Sequence, residues 1–97
     1  MEKSIIRTNR AGVFYGEVVK TEPTSAGVIA EIKNCRRLWY WDGAASLSQL
    51  AMEGVAKPYN CKFTVTVPSM LVVDVIEVIP CADKAVESID AVPVWKI

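Results

Sequence analysis

Residues 36–51 read RRLWYWDGAASLSQLA, and this run holds two of the three tryptophans and two of the four arginines of the chain. If Leu38 to Trp41 are extended, alternation puts Trp39 and Trp41 on one face and Leu38 and Tyr40 on the other. Both faces then carry large apolar area, and such a strand needs cover on both sides. Asp42-Gly43 breaks the strand. Ser46, with Gln49 three positions on, forms a capping box for a helix with Leu47, Leu50 and Ala51 on one side. The stretch reads as strand, tight turn and helix start.

Working outward towards the N-terminus, Val28 to Asn34 alternates Val28, Ala30 and Ile32 against Glu31 and Lys33, which predicts a third strand. Asn34-Cys35 is an irregular joint between it and a fourth strand, Arg36 to Trp41. Glu22 to Gly27 has the composition of a turn and joins the third strand to a second, Ala11 to Thr21. Gly12 and Gly16 inside that second strand mark bulges or a close backbone approach, with a bend at Gly16. Lys3 to Thr8 reads as the first strand.

Towards the C-terminus, Gly54 is placed to end the Ser46–Glu53 helix, and Pro58 prevents its continuation. A fifth strand is predicted over Cys61 to Val67, with a turn at Pro68-Ser69. A sixth follows over Leu71 to Ile79, apolar on both faces apart from Asp74 and Glu77, which suits a central position or an interface. Ala82 to Ala91 has helical spacing through Ala85 and Ile89, and Pro93 closes it. Trp95 is the type of residue that anchors a terminus to a core or to a neighbouring subunit. The pattern predicts one domain, residues 1–97, of the α+β class: a curved antiparallel sheet or small open barrel of five to six strands with two short helices.

Composition limits the chemistry. Hydrophobic residues make up 52% and charged residues 23%, with 11 acids balancing 11 bases, which describes a globular chain rather than a disordered one. The neutral balance argues against nucleic acid as a partner. No apolar run approaches the roughly 18 residues that span a bilayer, so no membrane partner is expected. Histidine is absent, which removes the commonest general base and zinc ligand. Cys35, Cys61 and Cys81 are widely spaced and odd in number, as expected of free thiols in a reducing compartment. No phosphate loop, metal spacing or triad is present. The expectation is a protein without enzymatic activity, without a cofactor and without a metal.

The candidate ligand-binding residues are Arg36, Arg37, Trp39, Tyr40 and Ser46. Arginine donates bidentate hydrogen bonds to phosphate or carboxylate, and aromatic faces stack on bases. The competing reading makes the tryptophans core, the arginines rim and Ser46 a plain helix cap. Alternation puts Arg37 on the Trp39 face and Arg36 on the Leu38 face, so the two do not easily serve one pocket. Asp42 reads as a turn residue. Arg7 and Arg10 read as solvated, and Asp74 and Glu77 as partners of basic side chains.

The run RRLWYWDGAASLSQLA, followed by CKF at Cys61–Phe63 and PVWK at Pro93–Lys96, resembles a family of small proteins of tailed phages and prophages that carry an RRLWYWDGA-type central motif. The resemblance runs from Arg7-Thr8 and Ala11-Gly12-Val13-Phe14 through Trp95. It implies phage origin and a location in the host cytoplasm, and it brings no catalytic residue with it. Phage accessory proteins of this size commonly act by binding. The expected function is a homo-oligomeric accessory protein that binds a host-derived anionic small molecule, such as a cyclic nucleotide of bacterial immunity. The alternative is a protein-binding module that inhibits a host enzyme or joins a virion component through the same aromatic and arginine patch.

Overall fold

The structure, a computed structural model, describes residues 2–97, so the expected domain 1–97 begins on Met1, outside the described residues. The elements run β1 (Ser4–Thr8), β2 (Val13–Thr24), β3 (Gly27–Tyr40), α1 (Leu47–Glu53), a 3-10 turn at Pro58–Asn60, β4 (Lys62–Phe63), β5 (Val67–Pro80) and α2 (Asp83–Asp90). All strand pairs are antiparallel, in the order β2-β1-β5-β3-β4. A further pairing of β2 with β3 makes a ring of hydrogen-bonded neighbours from β1, β2, β3 and β5. The fold is α+β, a curved antiparallel sheet with two short helices.

Alternation along the ring strands builds two cores at once. Ile6, Phe14, Ala30, Ile32, Cys35 and Val72 form a core from the ring strands alone. Ile5, Tyr15 and Leu38 join Leu50 and Ala51 of α1 and Ala85 and Ile89 of α2 in a second core. The neighbours Ile5 and Ile6, like Phe14 and Tyr15, thus serve opposite sides of one sheet. Double-sided apolarity is the sequence signature of that arrangement.

Bulges let long strands curve. Tyr15 pairs with Arg36 and Glu17 with Lys33, so Gly16 opposes both Asn34 and Cys35. Asn34 takes a positive φ of 49° there, a conformation asparagine tolerates better than most residues. A Cβ at Gly16 would lie 2.7 Å from the Cys35 Cβ; this is the close approach its position in the strand predicts. The expected third and fourth strands are therefore one strand, β3, bulged rather than broken at Asn34-Cys35. A second bulge at Val73-Asp74, with Asp74 at φ 56°, falls where β5 leaves β3 for β1.

Three other expectations change. β2 runs through Glu22-Pro23-Thr24, because these residues pair with Ile29, Val28 and Gly27, and the turn shrinks to Ser25-Ala26. The fifth strand is only Lys62–Phe63, since Thr64 turns to bond Arg37 through both its N–H and its hydroxyl. Pro68-Ser69 is not a turn but part of β5. The helices keep their predicted places. Ser46 Oγ accepts the Gln49 N–H at 3.1 Å, Gln49 Oε1 accepts the Ala45 N–H at 2.8 Å, and Gly54 ends α1 at φ 78°. Among the described residues no helix is long and apolar enough to cross a membrane.

Candidate recognition site

The bulge at Asn34-Cys35 decides which arginine turns inward. Beyond it, Cys35 and Arg36 are both buried, Arg37 is exposed, Leu38 is buried and Trp39 is exposed. Arg36 is only 4% exposed. Its Nε donates to the Thr64 carbonyl at 2.9 Å, Nη1 to Ile89 at 3.0 Å, and Nη2 to Phe63 at 3.1 Å and Pro93 at 3.5 Å. The guanidinium lies 5.5 Å from the centre of the Phe63 ring. Burial pushes its pKa down from the ordinary arginine value, and the Asp90 and Tyr15 fields oppose that shift. Carbonyls at the end of α2 carry the negative end of the helix dipole, which suits a cation. Arg36 is a structural clasp, and this corrects its assignment as a ligand contact.

Arg37 has the opposite fate. Its guanidinium stands 4.9 Å from the centre of the Phe14 ring, capping the ring-strand core from outside. Among the described residues no carboxylate lies within ion-pair distance of it. Trp39, two residues on along the same face, is 64% exposed. Tyr40 is half-exposed and pairs with Lys62 of β4, past an irregularity that leaves Trp39 without a partner in that ladder. Lys62 in turn sets its Nζ 5.4 Å from the centre of the Trp95 ring. Trp95 holds the C-terminal segment by its backbone N–H, which donates to the Phe63 carbonyl at 2.9 Å. Trp41 is half-buried and packs on the helix-side core.

Of the five residues singled out by sequence, the structure leaves Arg37, Trp39 and Tyr40 exposed at the end of β3 and removes two. Arg36 is spent on carbonyls, and the Ser46 hydroxyl is spent on its helix cap. Sequence reasoning missed Lys62 as the neighbour of Tyr40 and of Trp95, because only the pairing of β3 with β4 brings it there.

The chain belongs to a domain family. A model described as a domain of unknown function, DUF6948, matches residues 1–89. No curated protein and no solved structure matches the chain. The DUF6948 span takes in every residue of the candidate site from Arg36 to Ser46 and leaves out Trp95.

Recesses lie elsewhere on this DUF6948 chain. One of about 390 Å³ sits by the tip of the β2–β3 hairpin, between Arg10, Thr24, Ile29, Val73 and Asp74. Another of about 310 Å³ lies between Gln49, Glu53, Val55 and Lys84. Neither is lined by Arg37, Trp39 or Tyr40, whose side chains are exposed. Among the described residues no group of three cysteine, aspartate or glutamate side chains is placed to hold a metal ion. Burial pushes the Cys35, Cys61 and Cys81 thiols up from their ordinary pKa, which keeps them protonated and poorly nucleophilic at neutral pH.

Proposed function

We propose that this chain is a non-enzymatic binding protein of phage origin, acting in the host cytoplasm, that docks a protein partner through Arg37 and Trp39. The partner is a host enzyme or a virion component that offers an apolar socket for the indole and an acidic group for the guanidinium. The exposure of Trp39 carries this reading. A folded chain gains nothing from holding so large an apolar side chain in water, whereas covering it in a complex is worth on the order of 2–4 kcal/mol. A tryptophan and an arginine exposed two positions apart on one strand, the arginine without an ion-pair partner among the described residues, have the composition of an interaction hot spot.

The test is purification of the tagged chain from infected cells, compared with Trp39→Ala and Arg37→Glu. A stoichiometric protein that accompanies the wild type, is lost with either variant and rebinds when purified supports the reading. A partner retained by both variants, or none at all, overturns it.

One observation favours a second reading. The Arg37 guanidinium, with no ion-pair partner among the described residues and two positions from an exposed indole on β3, has the chemistry to hold an anionic ligand that stacks, such as a cyclic nucleotide. Arg36 and Ser46 drop out of that contact set. Titration calorimetry against a cyclic-nucleotide panel separates the two readings: saturable binding that Arg37→Glu abolishes favours the small molecule, and silence across the panel removes it.

A further inference from the structure

In the ladder between β3 and β5, Ala30 pairs with Val72 and Val28 with Val75, so Val73 and Asp74 share one partner position, Ile29. Asp74 takes a φ of 56° at this bulge. A bulge re-aims a side chain, and the one re-aimed here is a carboxylate. Asn9 fixes it: the Asn9 N–H donates to the Asp74 carbonyl at 2.9 Å, and Nδ2 donates to Oδ2 at 3.1 Å. Oδ1 lies against Gly27, where a Cβ would come within 2.8 Å of it. Among the described residues Oδ1 meets no donor and Asp74 has no ion pair. The basic neighbour expected of Asp74 is thus replaced by an asparagine that orients one oxygen and leaves the other free.

The bulge opens onto the recess of about 390 Å³ beside the β2–β3 hairpin tip. Its volume falls within the roughly 300–1,000 Å³ typical of small-molecule sites, which combine apolar walls with a few placed polar groups. Ala26, Ile29 and Val73 supply apolar wall. Thr24 also lines it, but its hydroxyl donates to the Gly27 carbonyl at 2.6 Å and accepts the Ala26 N–H at 3.1 Å. Two charges remain, Arg10 and Asp74. They pair neither with each other nor with any other described residue.

We propose that this recess binds a small amphipathic zwitterion, an apolar amino acid or a short peptide of such residues, with its carboxylate on Arg10, its ammonium on Asp74 Oδ1 and its side chain against Ile29 and Val73. Charge decides the class. A purely anionic ligand would meet the Asp74 carboxylate, and a purely cationic one the Arg10 guanidinium. An uncharged apolar ligand would strip water from both charges and return no hydrogen bond to either. A ligand carrying both signs answers both groups. Arg37 and Trp39 do not line the recess, so this site stands or falls separately from the proposed partner site.

Amide NMR of the labelled full chain, titrated with leucine, phenylalanine and leucyl-leucine, tests this. At least one should bind with a Kd of about 1 mM or tighter and shift the amides of Arg10, Ala26 and Asp74. Its N-acetyl form lacks the ammonium and its amide form lacks the carboxylate; each should bind roughly tenfold or more weakly. Arg10→Met, at an exposed turn position, should erase the difference between the parent ligand and its amide. Asp74→Asn, which keeps a residue tolerant of positive φ, should erase that between the parent and its N-acetyl form. Preference for leucine or phenylalanine identifies a free amino acid, and preference for leucyl-leucine a peptide. Absence of binding by all three overturns the proposal. So do shifts confined to other parts of the chain, derivatives that bind as tightly as their parent, or unchanged selectivity in a folded Arg10→Met.

Discussion

Arg36 Nη1 donates to the carbonyl of Ile89 at 3.0 Å, tying the middle of β3 to the last turn of α2. With the bonds to Thr64 and Phe63, one side chain gathers three carbonyls from β3's surroundings; those of Phe63 and Ile89 also accept the N–H groups of Trp95 and Val92. Arg36→Met keeps much of the volume and loses every donor. It should destabilise the fold by about 2–3 kcal/mol in urea titration, since hydrogen bonds to a charged group are worth about 1.5–3 kcal/mol each and the carbonyls of Phe63 and Ile89 keep backbone donors. Arg36→Lys should recover only part of this, because an ammonium cannot fork to three separate oxygens.

Trp39 should behave in the opposite way. Trp39→Ala removes an exposed indole and should change stability by no more than about 0.5 kcal/mol. Loss of partner binding in a variant whose denaturation midpoint is unmoved separates a contact role from a structural one. A large fall in stability would place Trp39 with the core residues instead.

Alkaline pH should weaken the fold in two stages. The Cys81 thiol is pushed up to about 11, chiefly by burial. The Tyr15 hydroxyl donates to Asp90 Oδ1 at 2.9 Å, and burial together with that carboxylate raises its pKa well above the usual phenol value. In both cases the folded chain holds a proton that the unfolded chain releases. Their contribution is thus complete below the unfolded pKa values, near 9 for the thiol and about 10 for the phenol, and is lost as pH rises past them. Melting temperature should fall from pH 9 upward. Cys81→Ala should flatten the curve between pH 9 and about 11, and Tyr15→Phe should flatten it above pH 10.

Gly16→Ala should be among the most damaging small substitutions. The new methyl would meet the Cys35 Cβ at 2.7 Å, with the Cys35 Cα and the Lys33 carbonyl each at 3.0 Å. Two of these contacts are backbone, so no rotamer relieves them. A loss of about 1–3 kcal/mol in urea titration is expected, as for other overpacked sites.

Thiol reagents should find the native chain unreactive. Cys35, Cys61 and Cys81 are all free and buried. Labelling by a maleimide should be slow in buffer and should reach three equivalents per chain once the fold is opened in denaturant.

Alternation in the sequence correctly separated Arg36 from Arg37, with Leu38 buried like the first and Trp39 exposed like the second. It could not say which side faced inward, because Leu38 and Trp39 are both large and apolar. That choice is made by α2 and β4, whose carbonyls collect round Arg36 and whose placement depends on contacts distant in sequence. Ser46 and Gly54 were legible because helix ends are local chemistry. The single strand β3 was not, since a bulge at Asn34 and a true break share one composition. Pro68 misled for a related reason: proline is tolerated in the first residues of a strand, and Pro68 is the second residue of β5.

The pairing of Ser4 with Pro80 sets when this fold can exist. A ribosome that has delivered the β2–β3 hairpin has made a curved ribbon with half of its inner surface in water. The first strand must wait for the last, some seventy residues later, before the circuit closes. Such long-range closure slows folding and prolongs the exposure of unfinished edges. Early truncations should therefore yield aggregating fragments rather than small folded ones, and the nascent chain has reason to meet a chaperone before it meets any target.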